Sequence, residues 1–201
     1  MTSNGEVTIQ AGPRHVIRRQ APVAPTQLRV PAATYRDHVH TIDHIGILVP
    51  DLEAAIARWG VVLQCDFSPI GRYRSAHYVD SADGIPHLHD ARFSVSRSRA
   101  PYIELLEAVG EGSHAPSRLG VHHFAIRVPR ADVEAERQGL GLIAHSREPD
   151  GRMHICFTDP AALDGVSLEF VSDFPGPILS DDGSPAWRDP GTGQASLWGP
   201  A

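Results

Sequence analysis

Two stretches of the chain repeat one another, and this internal repeat limits the possible fold more than any other feature. Residues 41–49 (TIDHIGILV) and residues 121–129 (VHHFAIRVP) each have the β-branched richness of a strand, followed by a helical stretch. When Pro50 is set on Pro129, the same constant offset places His44 on His123 rather than on His122. The repeat predicts two paired copies of one structural module.

The elements around the repeat indicate a βαβββ order in each module. Asp51 is a predicted helix N-cap, and Gly60 is expected to end that first helix. Each half closes with an apolar strand that a carboxylate interrupts, so that Glu104 matches Glu169. Further strands are predicted at 75–79, 91–96 and 153–157, a loop at 81–90, and a second helical stretch at 131–137. The predicted fold class is α+β.

The two ends of the chain differ from this repeated body in composition. Residues 1–38 contain four prolines and no sustained period, which predicts an irregular N-terminal arm. The body, residues 39–173, divides into module one (about 39–110) and module two (about 119–173). Residues 174–201 are rich in proline and glycine and are predicted to form a tail, with Trp187 and Trp198 expected to dock on the body or on a second subunit.

Charge and composition narrow the possible partners and the compartment. A net charge of −6 gives no basic surface for nucleic acid or for an anionic membrane, so neither is expected as a partner. The N-terminus lacks a secretory signal, and no apolar run is long enough for a membrane helix, so the expected location is cytoplasmic. Cys65 and Cys156 are too few for a disulfide framework, and both are expected to be reduced core residues.

Strand alternation places four chemically reactive side chains on one side of the predicted sheet. His44 shares a face with Gly46, and His123 shares one with Ala125, so that small neighbours leave room for a ligand. Glu104 and Glu169 lie between apolar residues that belong to the opposite face. Burying two carboxylates without a partner is costly, and a divalent cation held by two imidazoles and two carboxylates would offset that cost.

Two nitrogen and two oxygen donors suit zinc, cobalt, nickel, iron or manganese, and affinity order alone does not choose among these ions. Such an ion acidifies the C–H group next to a bound carbonyl. A carboxylate beside it could remove that proton and return it elsewhere, which gives isomerisation or epimerisation of a small-molecule substrate.

Four segments together resemble the vicinal oxygen chelate superfamily, which includes glyoxalases, bleomycin resistance proteins and extradiol dioxygenases. The segments are DHIGILVPDLEAA, YIELLEAVGEGS, GVHHFAIRVP and FTDPAALDGVSLEFV, and they span about residues 41–173. The nearest likeness is to the glyoxalase and methylmalonyl-CoA epimerase branch. The resemblance implies an open, barrel-like sheet of eight strands around a metal site.

The resemblance also implies roles for individual residues. It implies metal ligands at His44, Glu104, His123 and Glu169, with Glu169 as the leading catalytic base and Glu104 as the second candidate. The epimerases place a further acid in the region that corresponds to residues 84–91, where this chain offers His87, His89 and Asp90. The two histidines there are expected to be solvent-exposed loop residues, and a role in the site is the second alternative for them.

Three functions are compatible with these motifs. The first is a metal-dependent lyase or isomerase that acts on a small oxygenated acid, thioester or ketone. The second is an iron(II) extradiol-type dioxygenase that uses His44, His123 and Glu169, although a carboxylate at Glu104 would crowd the oxygen site. The third is a non-catalytic protein that sequesters drugs or other small molecules. A homodimer is possible for each of them.

Overall fold

The same order of elements occurs twice along the chain. The computed structural model describes residues 39–148, 151–172, 179–180 and 182–184. The first half consists of β1 (His44–Val49), α1 (Leu52–Leu63), β2 (Gly71–Asp80), β3 (His87–Val95) and β4 (Tyr102–Glu107). The second half consists of β5 (Gly120–Arg127), α2 (Ala131–Gln138), β6 (Leu142–Arg147), β7 (Met153–Thr158) and β8 (Ser167–Val171). Both halves therefore have the predicted βαβββ order.

The ends of the chain are described only in part. A short strand, β9 (Leu179–Ser180), pairs with the beginning of β2. The predicted arm at residues 1–38, Trp187 and Trp198 lie outside the described residues. Neither helix in the described part of the chain has the length and apolar composition that crossing a bilayer requires.

Helix α1 begins where the sequence predicts and ends later. The Asp51 side chain accepts a hydrogen bond from the backbone N–H of Ala54 at 2.8 Å, as an N-cap residue does. The prediction that Gly60 ends the helix is wrong, because the helix continues to Leu63. Gln64 follows with a φ of 53° and takes the left-handed conformation in place of a glycine.

The strands join into one barrel-like sheet. Strands β1 and β5 pair antiparallel where the two halves meet, while β1 pairs parallel with β4 and β5 pairs parallel with β8. The order runs β3-β4-β1-β5-β8-β7-β6-β2, and β2 also pairs with β3. This confirms the predicted barrel-like α+β fold. Strand β2 pairs with β6 through three residue pairs and with β3 through a longer ladder, which joins the two halves at a second place.

Side chains alternate between the barrel interior and the two helices, as the strand parity predicts. Ile47, Val49 and Leu105 pack outside the sheet against α1, in a cluster that includes Leu52 and Ala55. A second outer cluster lies against α2 and contains Val128, Phe170 and Cys156. The interior cluster contains Leu48, Tyr73, Tyr78, Phe93, Val95, Leu106, Ala144, Ile155, Phe157 and Val171. Cys156 is a core residue as expected, whereas Cys65 is only half-buried.

Strand β3 is longer than the sequence predicts, and the loop before it is correspondingly shorter. The predicted loop at residues 81–90 is wrong from His87 onward, because His87 pairs with Tyr78 and His89 pairs with Ser75. His89, Ala91 and Phe93 are all buried along the same alternation. A histidine at an inward position hid the apolar pattern that would have marked the strand.

Candidate metal centre

The structure brings the four predicted ligand side chains together inside the barrel. The Nε2 atom of His44 lies 2.9 Å from Glu169 Oε2 and 3.5 Å from Glu104 Oε2. The Nε2 atom of His123 lies 3.4 Å from Glu169 Oε2 and 3.3 Å from Glu104 Oε2. The two histidines have no solvent exposure, and each glutamate is 3% exposed.

Sheet register explains why these four residues meet. In the antiparallel pair β1–β5, Gly46 lies opposite His123 and His44 lies opposite Ala125. In the two parallel pairs, Glu104 is beside Gly46 and Glu169 is beside Ala125. Each half therefore contributes one histidine and one glutamate around an approximate twofold relation between the modules.

The small residue Gly46 makes room for a histidine ring. A Cβ atom at this position would lie 2.1 Å from Cε1 and 2.3 Å from Nε2 of His123. The expectation that Gly46 leaves space for a bound ligand is therefore corrected: the space is filled by the imidazole of His123. This contact limits where that ring can lie.

Strand β5 contains a β-bulge where it pairs with β1. The register between β1 and β5 shifts after Gly46, so that His123 pairs with Gly46 while Val121 pairs with Ile47. His122 is the extra residue of this β-bulge. Its ring points inward with that of His123, and both contact Phe157, at centroid distances of 5.5 Å and 5.2 Å.

The electrostatics of the cluster follow from two carboxylates buried with two imidazoles. Burial opposes a positive charge on His44, but the carboxylates of Glu104, Asp43 and Glu169 outweigh that effect and raise the pKa of His44 to about 10. Burial also opposes a negative charge on Glu169, yet the His123 and His44 rings hold the pKa of its carboxyl below the ordinary value. The buried carboxylates therefore favour a positive charge between them, which is the charge that a divalent cation would supply.

The donor atoms have the spacing that one divalent ion would impose. Nitrogen and oxygen atoms about 2.1 Å from a common ion lie about 3.0 Å apart at right angles and about 3.4 Å apart at tetrahedral angles. The four nitrogen–oxygen distances of 2.9, 3.3, 3.4 and 3.5 Å fall close to this interval. In the described part of the chain, the buried Nε2 of His123 forms no hydrogen bond. The ligand atoms of His44, His123 and Glu169 all lie within 4.8 Å of one another, and Glu104 approaches both imidazoles, so the residues fit a divalent ion held by the first three with Glu104 beside them.

Each histidine is also held through its other ring nitrogen. Asp43 Oδ2 lies 2.9 Å from Nδ1 of His44. His122 Nδ1 lies 3.0 Å from Nδ1 of His123. Contacts of this kind fix the orientation of a metal-binding imidazole. Sequence reasoning missed both partners, although each one directly precedes a predicted ligand.

The three residues from the region 84–91 do not join the centre. Asp90 accepts hydrogen bonds from Arg72 and Arg74, so it forms an ion pair away from the ligands. His87 is partly exposed and contacts the Ile85 carbonyl oxygen. The expectation of a solvated loop pair is wrong for His89, which is 7% exposed and stacks on Tyr78 at a centroid distance of 4.0 Å.

Further histidines line the interior beside the centre. The ring of His114 lies between those of His89 and His122, at centroid distances of 4.8 Å and 4.9 Å. Burial lowers the pKa of His89 and of His122 to about 4, and it holds the pKa of His114 well below its ordinary value, so that the neutral form of all three rings is favoured at pH 7. The sequence around His114 and His122 shows no apolar alternation from which their position inside the barrel could have been predicted.

A second group of possible ligands lies at the edge of the barrel. Asp80, Asp83 and His87 offer atoms within 4.8 Å of one another. Asp80 already accepts hydrogen bonds from the backbone N–H groups of Ala82 and Ser113. Asp83 is exposed and His87 is partly exposed, so Asp80 is the one buried member of this group, whereas the donors of the interior centre are all buried.

Comparison with solved structures gives distant matches. A methylmalonyl-CoA epimerase from Streptomyces coelicolor, in complex with 2-nitronate-propionyl-CoA, is 22% identical, and the match covers 65% of this chain and 95% of the epimerase with a TM-score of 0.44. The methylmalonyl-CoA epimerase of Mycobacterium tuberculosis is 23% identical over 67% of this chain and 88% of its own, with a TM-score of 0.45. A hypothetical protein from Bacillus halodurans is 20% identical over 67% and 95%, with a TM-score of 0.47.

Comparison at the level of families gives a clear assignment. A search of the curated proteins found no significant match. Residues 43–157, which are more than half of the chain, match the profile of the Glyoxalase/Bleomycin resistance protein/Dioxygenase superfamily. This is the superfamily that the four sequence motifs indicated. The chain therefore belongs to the glyoxalase, bleomycin resistance protein and dioxygenase superfamily, also called the vicinal oxygen chelate superfamily.

Proposed function

We propose that the chain is a metal-dependent lyase or isomerase, glyoxalase-like or epimerase-like, that removes a proton next to a carbonyl group of a small oxygenated acid, thioester or ketone. The observation that carries this proposal is the buried cluster of His44, Glu104, His123 and Glu169, whose nitrogen–oxygen distances are those expected around one divalent ion. Membership of the superfamily supports it. Zinc, cobalt, nickel, iron and manganese all suit this donor set.

Each residue of the cluster has a distinct part in the proposed reaction. A divalent ion, when bound, acts as a Lewis acid that makes the C–H group beside a carbonyl more acidic. The Nε2 atoms of His44 and His123 and the carboxylates of Glu104 and Glu169 would hold that ion. Glu169 is the leading candidate for the base, the role that the family resemblance implies, and its lowered pKa keeps it in the carboxylate form that a base requires.

The surroundings of Glu169 favour proton transfer within a dry site. Phe157 packs against the His123 ring, and Leu48 belongs to the same interior cluster. Burial raises the pKa of Tyr73 to about 12, and the charge of Glu169 contributes, so that Tyr73 stays neutral beside the centre. Electrostatic effects are stronger where water is excluded, which helps a carboxylate to act on a weakly acidic C–H group.

One observation supports a second candidate function. His44, His123 and Glu169 form a compact group whose ligand atoms lie within 4.8 Å of one another. Two histidines and one carboxylate are the ligands that iron(II) oxygenases use, with open positions for oxygen and substrate. The position of Glu104 argues against this function, because its Oε2 lies 3.3 Å from His123 Nε2 and would occupy one of those positions.

The proposal is tested by proton exchange in deuterated water. Protein loaded with zinc, cobalt, nickel or manganese is mixed with acyl-CoA thioesters and with hemithioacetals, and deuterium incorporation is followed by NMR. We expect exchange at the carbon next to the carbonyl of at least one class. Substitution Glu169→Gln should abolish that exchange, whereas His77→Gln, which changes an exposed histidine on β2, should preserve it.

Two outcomes would overturn the proposal. If neither substrate class incorporates deuterium while metal is bound, the proposed proton-transfer reaction is wrong. Oxygen uptake by the iron(II)-loaded protein in the presence of a catechol would instead establish the dioxygenase. The measurement is made anaerobically first and then with oxygen, so that the two reactions are separated.

A further inference from the structure

The residue before each predicted ligand occupies the same place in the internal repeat. Asp43 directly precedes His44 and His122 directly precedes His123, so the offset that relates the two ligands also relates their neighbours. Asp43 contacts Nδ1 of His44 at 2.9 Å, and His122 contacts Nδ1 of His123 at 3.0 Å. The two halves therefore support equivalent nitrogens with different chemical groups, a carboxylate in the first and an imidazole in the second.

The hydrogen bonds around His122 determine which nitrogen carries each proton. The carbonyl oxygen of Ser113 lies 2.7 Å from Nε2 of His122, and a carbonyl can only accept, so Nε2 of His122 donates. A neutral His122 then has its lone pair on Nδ1. The facing Nδ1 of His123 must donate to it, which leaves the lone pair of His123 on Nε2, the atom that lies beside Glu104 and Glu169.

The surroundings of His122 favour the neutral ring that this assignment requires. Its neighbours are the rings of His114, His123 and Phe157, and none of these offers a negative charge. A buried imidazolium without a carboxylate partner would be costly. The neutral ring is thus the form that this packing accommodates.

The carbonyl that holds His122 belongs to a tightly fixed turn between the two halves. The backbone N–H and the Oγ of Ser113 both donate to Asp80 Oδ2, at 2.8 Å and 3.1 Å. Gly112 begins this turn with a φ of +84°, and a Cβ atom there would lie 2.1 Å from Asp80 Oδ2. The turn therefore closes against Asp80 only with glycine at that position.

We propose that His122 is a positioning residue that fixes the protonation pattern of His123, so that its Nε2 lone pair faces the metal centre. The inference rests on the proposed function for the ligand role of His123. The chain of contacts runs from Asp80 through Ser113 and His122 to His123. It passes through a backbone carbonyl, which has no proton to pass on, so these contacts orient the ligand and do not conduct protons.

Three substitutions separate the two hydrogen bonds of His122. In His122→Asn the side-chain oxygen can take the place of Nδ1, which keeps an acceptor for His123 and loses the donor to Ser113. In His122→Gln the side-chain nitrogen can take the place of Nε2, which keeps that donor and loses the acceptor. His122→Phe removes both while retaining a ring against Phe157. The exposed His77→Gln is the matched control.

The first readout is the hydrogen bond itself, observed by NMR on ¹⁵N-labelled, zinc-loaded protein. We expect a slowly exchanging proton on Nδ1 of His123 and a scalar coupling across the bond to Nδ1 of His122. The second readout is zinc affinity, measured by competition with a chelator. We expect His122→Gln and His122→Phe to weaken zinc binding about 10- to 100-fold, and His122→Asn to stay within about threefold of the unsubstituted protein.

Two results would overturn the inference. One is a zinc-loaded protein in which the Nδ1 proton of His123 exchanges freely and shows no coupling to Nδ1 of His122. The other is unchanged zinc affinity in both His122→Gln and His122→Phe, shown to be folded by circular dichroism. Neither readout involves turnover, so failure of the proposed reaction in the deuterium experiment would leave both readouts as expected and would be recognised separately.

Discussion

Substitution Gly46→Ala adds a single methyl group at the point where β1 meets the ring of His123. The new Cβ atom would lie 2.1, 2.3 and 2.6 Å from three atoms of that ring, whereas ordinary van der Waals contact begins at 3.4 Å. The ring or β1 must therefore move far enough to lengthen the shortest of these contacts from 2.1 Å to 3.4 Å. The ring is fully buried and cannot swing into solvent.

The size of this displacement sets the expected loss of metal affinity. Metal–ligand distances tolerate changes of only about 0.2 Å, so a ring displaced by several times that distance no longer coordinates in its original position. We expect zinc affinity to fall by at least about 100-fold, which corresponds to about 2.8 kcal/mol. The crowded interior should also lower the free energy of unfolding by about 1–3 kcal/mol.

The assay is chelator competition for zinc, carried out at a temperature where circular dichroism shows the variant to be folded. The matched control is Ala125→Gly, at the equivalent place in the other half, where Ala125 lies opposite His44. That change should cost about 0.5–1 kcal/mol of stability through backbone freedom and leave zinc affinity unchanged. A folded Gly46→Ala protein that binds zinc within threefold of the original would refute the reasoning.

Three further predictions concern stability and reactivity. Burial lowers the pKa of His89 to about 4, so between about pH 6.5 and pH 4 the unfolded chain binds a proton that the folded chain does not, and stability should fall by up to about 1.4 kcal/mol for each pH unit in that window. His89→Phe should reduce this loss in urea titrations at pH 5 and leave stability at pH 7.5 equal or higher; an unchanged acid dependence would contradict the assignment. A thiol reagent at pH 8 should label Cys65 and spare Cys156, whose pKa burial raises to about 12, and labelling of both thiols before unfolding would count against this core. Asp51→Ala should cost about 1 kcal/mol by removing the cap of α1, and no change in the urea midpoint would show that water replaces it.

The four residues of the centre could be predicted from the sequence because they follow from two simple regularities. The single offset between the two repeated stretches paired His44 with His123, and strand alternation placed both on the inner face. Alternation also assigned the apolar neighbours of Glu104 and Glu169 to the outer clusters that pack on the helices. These rules depend only on the period of a strand, which a sequence displays directly.

The contacts that support the centre could not be predicted in the same way. A β-bulge changes the face of one residue without changing the composition of the strand, so His122 looked like an outward residue beside His123. The role of Ser113 depends on a backbone carbonyl in a turn held by Asp80, and no side-chain pattern reports it. The pairing of β2 with β6 depends on how the two halves meet across the barrel, and a local sequence pattern does not report it either.

The most direct test of the metal centre is a crystal structure of the protein grown with zinc or cobalt, with data collected at the absorption edge of the metal. The account predicts one anomalous peak about 2.1 Å from Nε2 of His44, Nε2 of His123 and one oxygen of each glutamate, Glu104 and Glu169. A metal-loaded crystal with its anomalous peak at Asp80, Asp83 and His87 instead, and with no peak between His44 and Glu169, would contradict it.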